Sequence, residues 1–200
     1  MRCEKFLAAE RVDWRAAPLA LDSALALTAT IYTFDIDLAN ADRGVYEKLA
    51  LRVARHPSES EDYLVTRVLA YCLEHTEGIA FSTGGLSNPD EPALAIRDLT
   101  GAITAWIEIG APDAARVHKA GKAAARVAVY THKDPDKVLA QWKGERMHRA
   151  PELYVVDRPL LDALVARLAR RMTFALSVTG AHLYLTLGDT VLEGAVERLR

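Results

Sequence analysis

The chain has 200 residues with 25 basic and 27 acidic side chains, a formal net charge of −2, and half its residues apolar. That length fits one domain, or one domain with an appendage, and is enough for a real core, while the balanced charge names no partner. Cys3 and Cys72 are too few and too distant for a disulfide framework, no zinc-type spacing exists, and no run approaches the ~20 apolar residues of a membrane span. Asp22 interrupts the one early apolar stretch, so no signal peptide is read and a cytoplasmic protein is expected.

Residues 1–25 are weakly patterned. They fit a short helix, a poorly ordered N-terminal extension or an upstream extension of the translated frame, and residues 26–200 read as a single domain. From Thr28 to Leu38 the chain alternates and is rich in β-branched residues, which predicts a strand. Asn40 or Asp42 is positioned to cap a helix over Ala41–Arg55, with Val45, Leu49 and Val53 on one side. His56-Pro57 would end it. Ser58-Glu59-Ser60-Glu61 matches a capping box and starts a second helix near Glu59, with Leu64, Val65, Val68, Leu69 and Cys72 as its buried stripe. Cys72 is expected to be a buried thiol.

Ile79–Leu86 reads as a short strand entering a glycine loop, and Gly84-Gly85 fits no phosphate-loop pattern. A β-hairpin follows, with Asp98-Leu99-Thr100-Gly101 as its turn and Ala93–Ile96 and Ile103–Ile107 as its arms. Pro112 and Asp113 open a third helix, thinned by alanines, that carries Arg116, Lys119 and Lys122 at steps of three. Arg126–Tyr130 is the next strand, and strand–helix–strand over so short a span implies a parallel crossover. Asp136–Lys143 predicts a helix, Gly144–Pro151 a basic loop and Leu153–Val156 a strand. Asp157 is placed to cap another helix, and Thr173–Val178 and Ala181–Leu187 form a terminal hairpin around Thr179-Gly180. The fold class expected is α/β, a mixed central sheet flanked by helices.

The chemistry concentrates at the first hairpin. With Leu99–Gly101 as the loop, Glu108 stands opposite Pro92, and strand alternation puts Asp90 and Glu108 on one face; a two-residue loop would bring Glu91 there instead. Two carboxylates from adjacent strands suit a hard divalent cation, Mg²⁺ or Mn²⁺. Helix side chains lean toward the N-terminus, so Lys119 can reach back toward Glu108, and Glu59 could complete the site from the second helix. Acids plus a lysine serve phosphodiester hydrolysis: metal activates water and the lysine stabilises developing charge. The competing reading makes Asp90 a turn residue, Glu59 a favourable charge at a helix end, and Glu108 a buried acid paired with Arg116 or Lys119. Glu59 to Asp98 holds eight acids and two arginines, whereas Arg116 to Arg149 holds nine lysines and arginines and three acids. Acidic and basic solvated faces explain that division, and so does an acidic metal pocket beside a phosphate-attracting segment 116–149 that binds nucleic acid. No Walker loop, G-x-S-x-G, H-E-x-x-H or Rossmann fingerprint occurs. His56, His75, His118, His132, His148 and His182 lack ligand spacing and read as surface or loop residues, and Trp106 reads as core.

Ala54-Arg55-His56-Pro57-Ser58-Glu59, Asp90-Glu91-Pro92, Trp106-Ile107-Glu108, Gly110, Pro112, Arg116 and Lys119-Ala120 together resemble the bacterial YaeQ family, from about Leu27 onward. The resemblance implies a variant of the PD-(D/E)XK, or restriction-endonuclease-like, core. Pro89-Asp90 and Glu108-Ile109-Gly110 follow that pattern except at its last place, where glycine replaces the usual lysine and Lys119 is the candidate substitute. The metal ligands expected are Asp90 and Glu108, with Glu59, Glu91 and Arg116 in support. The alternative is a nuclease scaffold without catalysis that binds nucleic acid or a protein.

Overall fold

A computed structural model describes residues 29–82 and 90–200. The expected N-terminal extension, Gly84-Gly85 and Pro89 lie outside the described residues. Strand β1 (Thr30–Asn40) is the one expected, with Phe34, Ile36 and Leu38 buried in alternation. The helix expected over Ala41–Arg55 is instead strand β2 (Val45–Arg55), paired antiparallel with β1 along its whole length. Its buried residues Leu49, Leu51 and Val53 recur every second position. A spacing of four satisfies both a helix and a strand face, and the intervening Leu51 decides for the strand. Asp42 therefore caps no helix. Its carboxylate accepts from the Gly180 and Ala181 amides, tying the β1–β2 turn to a turn far along the chain.

Helix α1 (Glu61–Leu73) starts at Ser60, whose hydroxyl accepts from the Tyr63 amide. The cap is thus Ser60 and not Ser58, and Glu61 pairs with Arg55. Cys72 is buried, and burial pushes its thiol up to about 12. Strands β3 (Ile79–Phe81), β4 (Leu94–Arg97) and β5 (Ile103–Ile109) form an antiparallel run. Gly101 has a φ of +86° and closes the turn as expected. Arg97 faces Ile103 in the expected register, but an irregularity then shifts the pairing by one, so Ile96 faces Ala105 and Leu94 faces Ile107, and the expected register that set Glu108 opposite Pro92 does not hold there.

Helices α2 (Ala114–Ala123), α3 (Pro135–Trp142) and α4 (Arg158–Val165) are capped by Asp113, Asp134 and Asp157. They alternate with β6 (Arg126–Thr131) and β7 (Glu152–Val156), which lie parallel to β5. The C-terminal hairpin of β8 (Arg171–Thr179) and β9 (His182–Leu187) is present, and an unexpected last strand, β10 (Thr190–Arg198), continues it. That strand lies between β9 and β7 and joins everything into one ten-stranded mixed sheet among the described residues, in the order β2-β1-β8-β9-β10-β7-β6-β5-β4-β3. Gly194 permits this: a Cβ there would come 2.6 Å from that of Leu160 on α4.

The main core gathers Leu51, Val53 and Phe34 from one end of the sheet, Leu94 and Ile107 from the other, and Leu64, Leu69 and Leu161 from α1 and α4. The sheet therefore curls around α1. A second core packs Val117, Val138 and Trp142 of α2 and α3 against Trp106, Val127, Val129 and Leu153. Strands β5 to β7 are covered on both faces, which is why they read as continuous apolar runs. No helix among the described residues is long and apolar enough to cross a membrane.

Candidate functional site: an acid–base cluster at the end of β5

Glu108 is the one acid in β5, and its residue is 3 % exposed. Such a group requires partners. Its Oε1 accepts from Trp106 Nε1 at 2.5 Å and from Arg116 Nε at 2.8 Å. Burial pushes the Glu108 carboxyl above the ordinary range, with Trp106 and Arg116 pulling the other way. Trp106 is core, as expected, and also orients the acid two residues on. Both of these contacts fall on Oε1.

Asp113 starts α2 by accepting from the Arg116 amide, and this aims the first turn of the helix back at β5. Arg116 spans two elements, since its Nη2 also donates to the Glu91 carbonyl at 2.8 Å. The Glu91 side chain accepts from Ser82 Oγ at 2.6 Å. One helical turn beyond Arg116, Lys119 forms an ion pair with Asp90, with both side chains largely in solvent. Of the residues singled out in the sequence, the structure brings Asp90, Glu91, Glu108, Arg116 and Lys119 into one connected set. Glu59 stands in a different pair: Arg67 donates to both of its carboxylate oxygens, at 3.3 and 3.1 Å, and both side chains are buried.

Sequence reasoning missed Tyr63 and Ser82. The Tyr63 ring lies 5.6 Å from the Arg67 guanidinium, and burial first, with Arg67 pulling the other way and the charges of Glu108 and Glu59 adding to it, raises its phenol far above the usual range. Its place in the first turn of α1 depends on Ser60 being the cap, which the Ser58 reading displaced. His132, expected on the surface, is 7 % exposed at the end of β6, and burial lowers its imidazole to about 4. Its Nδ1 lies 3.2 Å from Thr66 Oγ1, whose hydroxyl donates to the Asp62 carbonyl; Nδ1 therefore carries the proton.

Among the described residues, no group of three His, Cys, Asp or Glu side chains is gathered to cage a metal. The acids present are hard oxygen donors, the type Mg²⁺ takes one or two of at a time while keeping waters or substrate oxygens.

These features define a mixed α/β protein whose acids and bases meet where a parallel strand ends and a helix begins, the usual ligand position of such sheets. The chain belongs to the YaeQ family: the family model described as "YaeQ protein" matches residues 25–196. Relatives described as "Uncharacterized protein YaeQ" include one from Salmonella typhi, 40 % identical over 172 residues, which are 86 % of this chain and 89 % of the relative. Another, from Escherichia coli (strain K12), is 40 % identical over 108 residues; the match spans 54 % of this chain and 59 % of the relative's length. The crystal structure of YaeQ protein from Pseudomonas syringae superposes with a TM-score of 0.77 at 30 % identity, over 86 % of this chain and 96 % of that one. That of YaeQ protein from Xanthomonas axonopodis pv. citri gives 0.77 at 29 % identity, over 86 % and 99 %.

Proposed function

We propose that the chain is a Mg²⁺- or Mn²⁺-dependent phosphodiester hydrolase acting on nucleic acid in the cytoplasm, on a variant of the restriction-endonuclease-like core. Asp90 and Glu108 hold the ion and Lys119 stabilises charge. The observation that carries this reading is the reach of α2: Lys119 contacts Asp90, 29 residues earlier in the chain, while Arg116 contacts Glu108 and Glu91. An ion bound there supplies an acidified water and a polarised phosphoryl oxygen. Water oxygen forms the new P–O bond, and the ester P–O bond breaks with its electron pair on the departing oxygen, which takes up the proton that the attacking water gives up. Lys119 neutralises charge on the phosphoryl oxygens as it develops, the task of the lysine whose usual place Gly110 occupies. Arg116 and Trp106 fix the Glu108 carboxylate, and Glu59 belongs to the supporting structure through Arg67.

Calorimetric titration with Mg²⁺ and Mn²⁺ tests the assignment. Binding weakened by Glu108→Gln and Asp90→Asn, with cleavage of DNA or RNA lost in Lys119→Ala, is expected. No metal binding, or binding indifferent to Glu108→Gln, overturns it. One observation favours a second reading, a non-catalytic nucleic-acid-binding protein: Arg116 and Lys119 already compensate both acids. That reading predicts binding without cleavage.

A further inference from the structure

Gly121, on α2, is buried against the loop of residues 144–151. A Cβ there would lie 3.0 Å from the Arg149 amide nitrogen and 3.4 Å from the Cβ of His148. One turn earlier, His118 Nδ1 is 3.0 Å from the Arg146 carbonyl oxygen, and the His118 and His148 rings meet edge-on at 6.4 Å between centroids. The loop thus runs along the helix, with Arg146 beside position 118 and Arg149 beside position 121. This creates two neighbouring rows of cations with the same step: Lys119 and Lys122 on α2, Arg146 and Arg149 on the loop. All four are exposed. Among the described residues Lys122, Arg146 and Arg149 form no ion pair with an acid. The first row begins at Lys119, in contact with Asp90.

We infer that this seated loop and α2 form a platform for the backbone of double-stranded nucleic acid, which it carries to the acid–base cluster. The partner class rests on the proposed phosphodiester hydrolysis; the duplex preference rests on the surface itself. Binders of single strands combine charge with aromatic platforms on which bases stack. Among the described residues the exposed large apolar side chains are Ile31, Tyr46, Leu99, Tyr184, Val191 and Leu199, none of them on α2 or this loop, and the two rings that are there, His118 and His148, meet each other edge-on. A surface dominated by cations, with its two rings turned on each other, reads phosphates first. Two cation rows suit the two phosphate rows that flank a groove, whereas one strand offers a single row.

The test is fluorescence anisotropy of the full-length protein in EDTA, with a 20-base-pair DNA duplex and one of its strands, across a KCl series. Lys119 is held by Asp90, so three phosphate contacts, from Lys122, Arg146 and Arg149, give a slope of log K against log salt of about −2.7 on duplex. Arg146→Ala/Arg149→Ala is expected to bring it to about −0.9. Gly121→Val, which unseats the loop, is expected to weaken duplex binding at least as much. Lys133→Ala/Lys137→Ala, in the same basic segment but off the platform, is expected to leave the slope in place. Single-strand binding equal to or tighter than duplex binding, or a slope unchanged in Arg146→Ala/Arg149→Ala, overturns the inference. Because EDTA removes metal, duplex binding without cleavage in a separate Mg²⁺ assay sinks the hydrolase alone. Cleavage that persists without the platform's effect on binding sinks the platform alone.

Discussion

The Arg67–Glu59 pair gives the sharpest test of how the curled sheet is held. Arg67 projects from α1 into the gap between the two ends of the sheet: Nη2 donates to the Ala54 carbonyl of β2 at 2.7 Å, and the guanidinium lies 5.7 Å from the Phe81 ring centroid of β3. Its side chain is 3 % exposed and that of Glu59 0 %. Arg67→Met strips a fully buried carboxylate of both its donors, and such a loss costs about 3–5 kcal/mol. Glu59→Met leaves the buried guanidinium without its counter-charge and should cost about 3 kcal/mol on the same ground. The double substitution removes both charges together. Its cost reduces to the orphaned Ala54 carbonyl, about 1 kcal/mol, and lost ring contact, about 1 kcal/mol, which methionine sulfur partly restores. The double variant is therefore expected near 2 kcal/mol, well below the sum of the singles. Urea unfolding followed by the emission of buried Trp106 and Trp142 measures all three. A double variant destabilised by the full sum would refute the argument, since it would mean that the two groups act independently.

Three further outcomes follow from the geometry. His132 has a folded value of about 4 against an ordinary 6.5, so the unfolded chain binds the extra proton and stability should fall as pH drops from about 6.5 to about 4, by at most about 3 kcal/mol; urea midpoints for His132→Gln should lose that part of the pH slope. Gly78 has a φ of +81°, and a Cβ there would sit 2.0 Å from the Arg97 carbonyl oxygen, so Gly78→Ala should cost at least about 2 kcal/mol, read as a lowered Tm. Asp157→Ala removes the acceptor for the Leu160 amide at the start of α4 and should cost about 1 kcal/mol in the same melt.

Much of this fold was legible because local rules and tertiary contacts agree. Asp157 before an apolar stripe and Asp98 through Gly101 between two apolar arms encode a cap and a turn within a few residues, and both stand where expected. The error at Ala41–Arg55 has a physical cause: three apolar positions four apart fit a helix stripe and a strand face equally, and the tie is broken by Leu51 between them and by pairing with β1. The last strand was missed because Val191, Leu192 and Val196 are too sparsely spaced to announce it, and its place between β9 and β7 is a long-range choice. At the cluster, the acids and bases were visible, together with the helix that brings the bases close. Which base meets which acid was not. Arg116 rather than Lys119 took Glu108, because Asp113 sets the first turn of α2 and so the angle at which each side chain leaves the helix.

What this sequence determined by itself is short-range: its caps, its glycine turns, its doubly apolar parallel strands, and the acids and bases assembled around one hairpin. Tertiary structure alone decided that the sheet curls around α1, that Glu59 is spent on Arg67, that His132 is buried, and that loop 144–151 lies on α2. Each of these depends on groups from different elements meeting as the chain packs, where the energy of contact is fixed by which partner arrives and not by the local pattern that announces either one.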